Sequence, residues 1–110
     1  MPDKSTTIST AFQTFLSEAP DHAQPWGSMV GALAAASALD AKTSGLAYIA
    51  VLAALNRVSG IPFHVISTKE AGATREEVIS AVLLGLPAAG HIVTQALPAA
   101  IEAFDKDVSG

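Results

Sequence analysis

The residues best suited to chemistry lie between Ala54 and Val78, ALNRVSGIPFHVISTKEAGATREEV, where Arg57 and His64 flank a helix break inside otherwise apolar sequence. A guanidinium is a permanent cation that fits carboxylates, and imidazole is the side chain that exchanges protons near neutral pH. Pro62 is tolerated in the first turn of a helix, and Gly60 suits the end of the preceding one. The break therefore predicts Arg57 on the last turn of one helix and His64 on the first turn of the next. Exposed backbone N–H groups and the helix macrodipole disfavour an imidazolium there, so His64 is expected in its neutral, proton-accepting form. A second group, His91, Thr94 and Gln95, falls at i, i+3 and i+4 and shares one face if the segment is α-helical. Tyr48 stands in the middle of an apolar helix, where a buried phenol wants a hydrogen-bond partner. His91, Gln95 and Tyr48 are the expected substrate-binding residues. Each assignment has a plain alternative: Arg57 as a dipole partner at a helix C-terminus, His64 as a satisfied residue near a helix start, His91 and Gln95 as interface polar groups, and Tyr48 as core.

These side chains must be positioned by helices. Ile8 to Glu18 carries Phe12, Phe15 and Leu16 at three- to four-residue spacing and ends before Pro20. Pro25 to about Ala38 is Ala-rich, with Trp26, Met29, Val30 and Leu33 along it. Asp40 reads as the N-cap of a helix to Leu55 whose centre, LAYIAVLAAL, is apolar on nearly every face and should be buried on all sides by its own domain or a neighbouring subunit. A fourth helix spans Pro62 to Ala71 and ends at Gly72. A fifth runs from Arg75 to about Leu86, opened by a Thr74–Glu77 capping box. The sixth runs from Pro87 toward Asp105, kinked at Pro98. GSMVG at Gly27–Gly31 implies close helix packing. No apolar–polar alternation marks a strand. The expected fold is all-α, one domain over residues 1–110 in a bundle of about six helices.

Composition narrows the functions. Half of the 110 residues are hydrophobic, 15% are charged and the mean hydropathy is +0.42, more apolar surface than a lone domain of this size hides. No uninterrupted apolar run reaches the roughly 18 residues that span a bilayer, and MPDKSTTISTAF lacks the apolar core of a secretory signal. A cytoplasmic homo-oligomer is expected. A net charge of −4 with six unclustered Lys and Arg residues gives no footprint for nucleic acid or anionic lipid. The absence of cysteine removes disulfides, thiolate metal sites and any dithiol peroxidase cycle. His22, His64 and His91 lack helical ligand spacing, so no metal is expected.

The order of helix break, His64, helix and GATREE resembles the carboxymuconolactone decarboxylase family, which includes the alkylhydroperoxidase D proteins; the resemblance covers about residues 39–104. The family's peroxidase branch carries Cys-x-x-Cys-x-x-x-His, whose three residues fall on Arg57, Gly60 and His64, so only the histidine is retained. The decarboxylase branch carries Gly-Arg-x-x-Glu-Leu-x-x-His in the same register. Arg57 and His64 match it, whereas Asn56 and Gly60 depart from it, and a further family glutamate falls on Gly45. The resemblance implies an alkylhydroperoxidase D-like helical fold, a trimer or a hexamer built from trimers, and cofactor-free chemistry on a small carboxylate or lactone. Arg57 would hold the carboxylate or developing enolate, and His64 would move the proton. The missing acid would come from water, the substrate, Glu70 or a neighbouring subunit. The alternative it implies is a non-catalytic binding or scaffold member, because glycine at 45 and 60 supplies space without a proton. A role in oxidative defence would need thiols from another protein.

Overall fold

In the computed structural model, which describes residues 8–106, seven α-helices and two 3₁₀ segments account for the regular structure, and no strand occurs among the described residues. The all-α expectation holds. The expectations about chain ends, including the first seven residues of MPDKSTTISTAF, lie partly outside the described residues.

Helix α1 (Thr10–Glu18) starts where the Ser9 hydroxyl accepts from Phe12 N–H at 3.1 Å. A single junction residue, Ala19, separates it from α2 (Pro20–Ala36). The second helix therefore begins at Pro20, not at Pro25 as expected. Pro20 occupies the first helical position, where its missing N–H costs nothing, and Pro25 is carried inside the helix. Phe12, Phe15 and Trp26 hold α1 and α2 together, with ring centroids 5.1 Å apart for Phe12–Trp26 and 6.1 Å for Phe15–Trp26. No residue of α1 or α2 is buried. A Cβ added at Gly27 or Gly31 would meet nothing within 4 Å, so the close packing expected of GSMVG is not made within this chain.

The core is built from the rest. Helix α3 (Ala41–Ala54) is capped by Asp40, whose carboxylate accepts from Thr43 N–H at 2.7 Å. It packs against α4 (Ile61–Glu70), α5 (Arg75–Leu83) and the 3₁₀ segment Gly90–Ala96, while α4 and α5 also pack on α7 (Leu97–Lys106). Ile49, Ile61, Val65, Val78, Val82 and Val93 are fully enclosed at the centre. The Thr74–Glu77 capping box forms as expected, and Glu77 also pairs with Lys42 at 2.9 Å, tying the start of α5 to that of α3. Arg75 grips Asp105 through two hydrogen bonds, and Lys69 donates to the Phe104 carbonyl at 2.8 Å with its ammonium 4.4 Å from the Phe104 ring, so both clamp α7.

One expectation is narrowed and one corrected. Helix α3 is not covered on all sides by its own chain. Only Ile49 and Ala53 are buried, and Tyr48, Val51 and Leu55 form an exposed apolar stripe. The single helix expected from Pro87 to Asp105 is three pieces: α6 (Leu86–Ala89), the 3₁₀ segment and α7. Gly90, at φ +82, breaks it in a conformation that glycine adopts freely. The run Arg75–Lys106 is apolar and long enough to cross a membrane by length and composition, yet the turn at Leu84–Gly85 and Gly90 divide it into short helices.

Candidate functional site

The break between α3 and α4 is made by Asn56 rather than Gly60. Asn56 adopts a left-handed φ of +55, its N–H reaches Ala53 O at 3.1 Å, and Arg57 N–H reaches Leu52 O at 2.8 Å. This pair of bonds is the Schellman ending, for which asparagine is the usual substitute for glycine. Gly72, at φ +106, ends α4 in the same way, with Gly72 N–H on Lys69 O and Ala73 N–H on Thr68 O. Arg57 thus lies beyond the end of α3 and not on its last turn. Its backbone precedes the 3₁₀ turn Val58–Gly60, and its side chain is exposed, with no hydrogen bond or ion pair among the described residues.

His64 lies at the end of the first turn of α4, whose Pro62 is among the first two helical residues as expected. It is half-buried. Its ring lies 4.4 Å from that of Tyr48 at 41° and 5.3 Å from that of Phe63, edge-on at 80°. Burial pushes its pKa below the ordinary 6.5, so the imidazole is neutral at pH 7. The direction is the one expected from the sequence, and its cause is loss of water on burial.

One turn along the same α3–α4 seam lies the position on which the resemblance places a glutamate. Gly45 faces α4, and a Cβ built there would overlap the Thr68 hydroxyl and lie 3.0 Å from Thr68 Cβ and Cγ2. Thr68 is 2% exposed, and its hydroxyl donates to the His64 carbonyl at 2.6 Å, which satisfies it inside the core. Position 45 is a helix–helix contact. Glu70 ends α4 six residues beyond His64, about 9 Å along the axis and turned about 120° around it.

His91, Thr94 and Gln95 do not share a face. They lie in the 3₁₀ segment, where three residues complete a turn, so His91 eclipses Thr94 and Gln95 points about 120° away. The Thr94 hydroxyl donates to the His91 carbonyl at 2.7 Å, and Val93 and Ala96, three apart, are the buried face. His91 and Gln95 are exposed. Of the five residues expected from the sequence, the structure brings Tyr48 and His64 into contact and leaves Arg57, His91 and Gln95 on the surface. A groove of about 490 Å³ on the other flank of α3, lined by Leu46, Ala47, Ala81 and Leu84 with Glu76 and Glu77, includes none of the five. Phe63 and Thr68 were not anticipated. Phe63 is adjacent to His64 in sequence, and a glycine inside an apolar helix is the available signal for Thr68's close approach.

A helical domain that sets a histidine just after a Pro-opened helix start, ahead of a GATREE turn, defines a class of all-α proteins with one imidazole at a helix break. The carboxymuconolactone decarboxylase family model matches residues 20–103, and the chain belongs to that family. The match extends upstream of the resemblance at about residue 39 and takes in α2. No curated protein and no solved structure matches this chain.

Proposed function

We propose that this family member acts on a small carboxylate or lactone without a cofactor, with His64 as a neutral proton shuttle and Arg57 as the anion-binding group. The observation that supports it is the setting of His64: half-buried, in ring contact with Tyr48 and Phe63, and with its pKa lowered by burial. A neutral imidazole with fixed ring orientation accepts a proton from a carbon acid and returns it to the neighbouring position. Arg57, free of other partners among the described residues, would stabilise the developing enolate or hold the carboxylate. With no acid built in at position 45 or 60, any proton beyond the one His64 carries comes from water or the substrate.

A second reading, a binding or scaffold protein of the same family without turnover, is favoured by Gly45. Its contact with Thr68 fills the place of the family's glutamate with packing. The two readings separate in a carboxylate titration and a thermal melt on wild type, His64→Ala and Arg57→Ala. Under the enzymatic reading His64→Ala abolishes solvent deuterium exchange into a lactone or carboxylate substrate, and Arg57→Ala weakens binding roughly 10- to 150-fold, the equivalent of about 1.5–3 kcal/mol for a charge-assisted contact. Binding without exchange in wild type selects the second reading. No ligand response to either substitution removes the site.

A further inference from the structure

Three successive contacts fix the register in which α3 lies along α4. A Cβ built at Gly45 would overlap the Thr68 hydroxyl, the Tyr48 ring lies 4.4 Å from that of His64, and a Cβ built at Gly60 would sit 3.5 Å from the Leu52 methyl groups. Gly45, Tyr48 and Leu52 thus face Thr68, His64 and Gly60 in turn, at the three- and four-residue steps that follow one side of a helix. The outer two rungs are closed. Thr68 is 2% exposed with its hydroxyl on the His64 carbonyl, and Leu52 covers Gly60 at van der Waals distance. The middle rung is polar and open, with Tyr48 48% exposed and His64 half-buried. Neither the phenol oxygen nor an imidazole nitrogen has a hydrogen-bond partner among the described residues. Burial alone shifts the imidazole, as befits a ring with no such partner. Polar groups withdrawn from water are ordinarily satisfied, and a donor phenol beside a neutral acceptor imidazole suits one bound molecule that engages both.

We infer that Tyr48 is the hydrogen-bond donor of this site, its hydroxyl holding the substrate oxygen on which charge gathers while His64 takes a proton from the neighbouring carbon. The assignment rests on the reading of His64 as the proton shuttle. It gives the enolate oxygen to the side chain in ring contact with His64, and leaves to Arg57, exposed beyond the end of α3, a more distant carboxylate. The electrons balance within the substrate. As the C–H bond breaks, its electron pair moves toward the carbonyl oxygen; when His64 returns the proton to carbon, the carbonyl re-forms. The phenol lends its hydrogen to the oxygen and keeps it. A donor set against developing charge acts most strongly when it needs no rearrangement, and a ring packed on the base is held in place by that contact.

The anion para-nitrophenolate tests the donor without turnover, because its oxygen carries the charge of an enolate and its colour reports binding. Tyr48→Phe keeps a ring against His64 and removes only the hydroxyl. It should weaken para-nitrophenolate roughly 10- to 150-fold, the loss of one hydrogen bond to a charged group. Binding of nitrobenzene, which has the ring without the oxyanion, and the melting temperature should stay as in wild type. Solvent deuterium exchange into a lactone or carboxylate should fall by a similar factor. Wild type that binds no para-nitrophenolate at millimolar concentration, or Tyr48→Phe that binds it as tightly as wild type, overturns the assignment. An equal loss of nitrobenzene overturns it too, since Tyr48 would then act by packing. Tyr48-dependent phenolate binding in a wild type that exchanges no deuterium keeps the donor and removes the enzymatic reading. Exchange left undiminished by Tyr48→Phe removes the donor and keeps His64 as the shuttle.

Discussion

The helical hairpin α1–α2 and the cluster α3–α7 use the same residues to opposite effect. The hairpin segment PWGSMVGALAAA and the core segment LAYIAVLAAL are both Ala-rich runs with interspersed large apolar side chains. In the cluster, thirteen hydrophobic residues are buried, while in α1 and α2 none is. The difference is the number of neighbours. Helix α3 has α4, α5 and the 3₁₀ segment around it, whereas α2 packs chiefly on α1 through Trp26. Apolar composition creates a demand for burial, and topology decides which part of that demand is met inside the chain.

The comparison breaks most easily at its largest contrast. Ile49→Ala empties a fully enclosed site and should cost about 2–5 kcal/mol in denaturant unfolding, at every protein concentration. Leu33→Ala should cost nothing comparable, because Leu33 is 63% exposed on α2. A large, concentration-independent loss for Leu33→Ala would show that α2 is integrated into the core. Next comes the α3–α4 contact. Gly45→Ala should destabilise by about 1–3 kcal/mol through overpacking, and a Thr68→Ala change alongside it should recover part of that loss. Additive losses in the double variant would mean that Gly45 matters for some other reason.

Smaller effects test how the site is framed. Asn56→Ala forces a β-carbon without the local hydrogen bonding of asparagine into the left-handed region and should cost about 1–2 kcal/mol, whereas Asn56→Gly should be neutral or stabilising. The least is the pH dependence. His64 has a folded pKa below its ordinary 6.5, so the unfolded chain binds the proton more readily. Stability should be full above that value and decline as pH falls below it toward the folded pKa. His64→Gln should flatten that segment of the stability–pH profile, measured by urea unfolding between pH 7 and 5, a range that brackets the ordinary imidazole value. An unchanged slope would mean that the ring is not desolvated in solution.

Local signals were legible wherever a single turn of chain determines the outcome. Asp40 as a cap, the Thr74–Glu77 box, Gly72 as a stop and Pro62 as a helix opener all act through hydrogen bonds within a few residues, and all were read correctly. The direction of the His64 shift was also anticipated, though its cause, burial, is a tertiary one. Errors arose where two local readings compete. Pro20 and Pro25 both suit a helix start, and Asn56 and Gly60 both suit a helix end. His91, Thr94 and Gln95 share a face with 3.6 residues per turn but not with three.

By itself the sequence determined an all-α chain, its caps and stops, the retained histidine of the family pattern and the loss of every thiol, since these follow from side-chain chemistry and short-range backbone geometry. Only the tertiary structure decided which apolar faces are covered, that Tyr48 meets His64 while Arg57 stands apart in solvent, and that Gly45 is a place where two helices touch. Those outcomes depend on how α3, α4 and α5 lie across one another, and long-range packing of that kind is encoded by the whole chain at once rather than by any window of it.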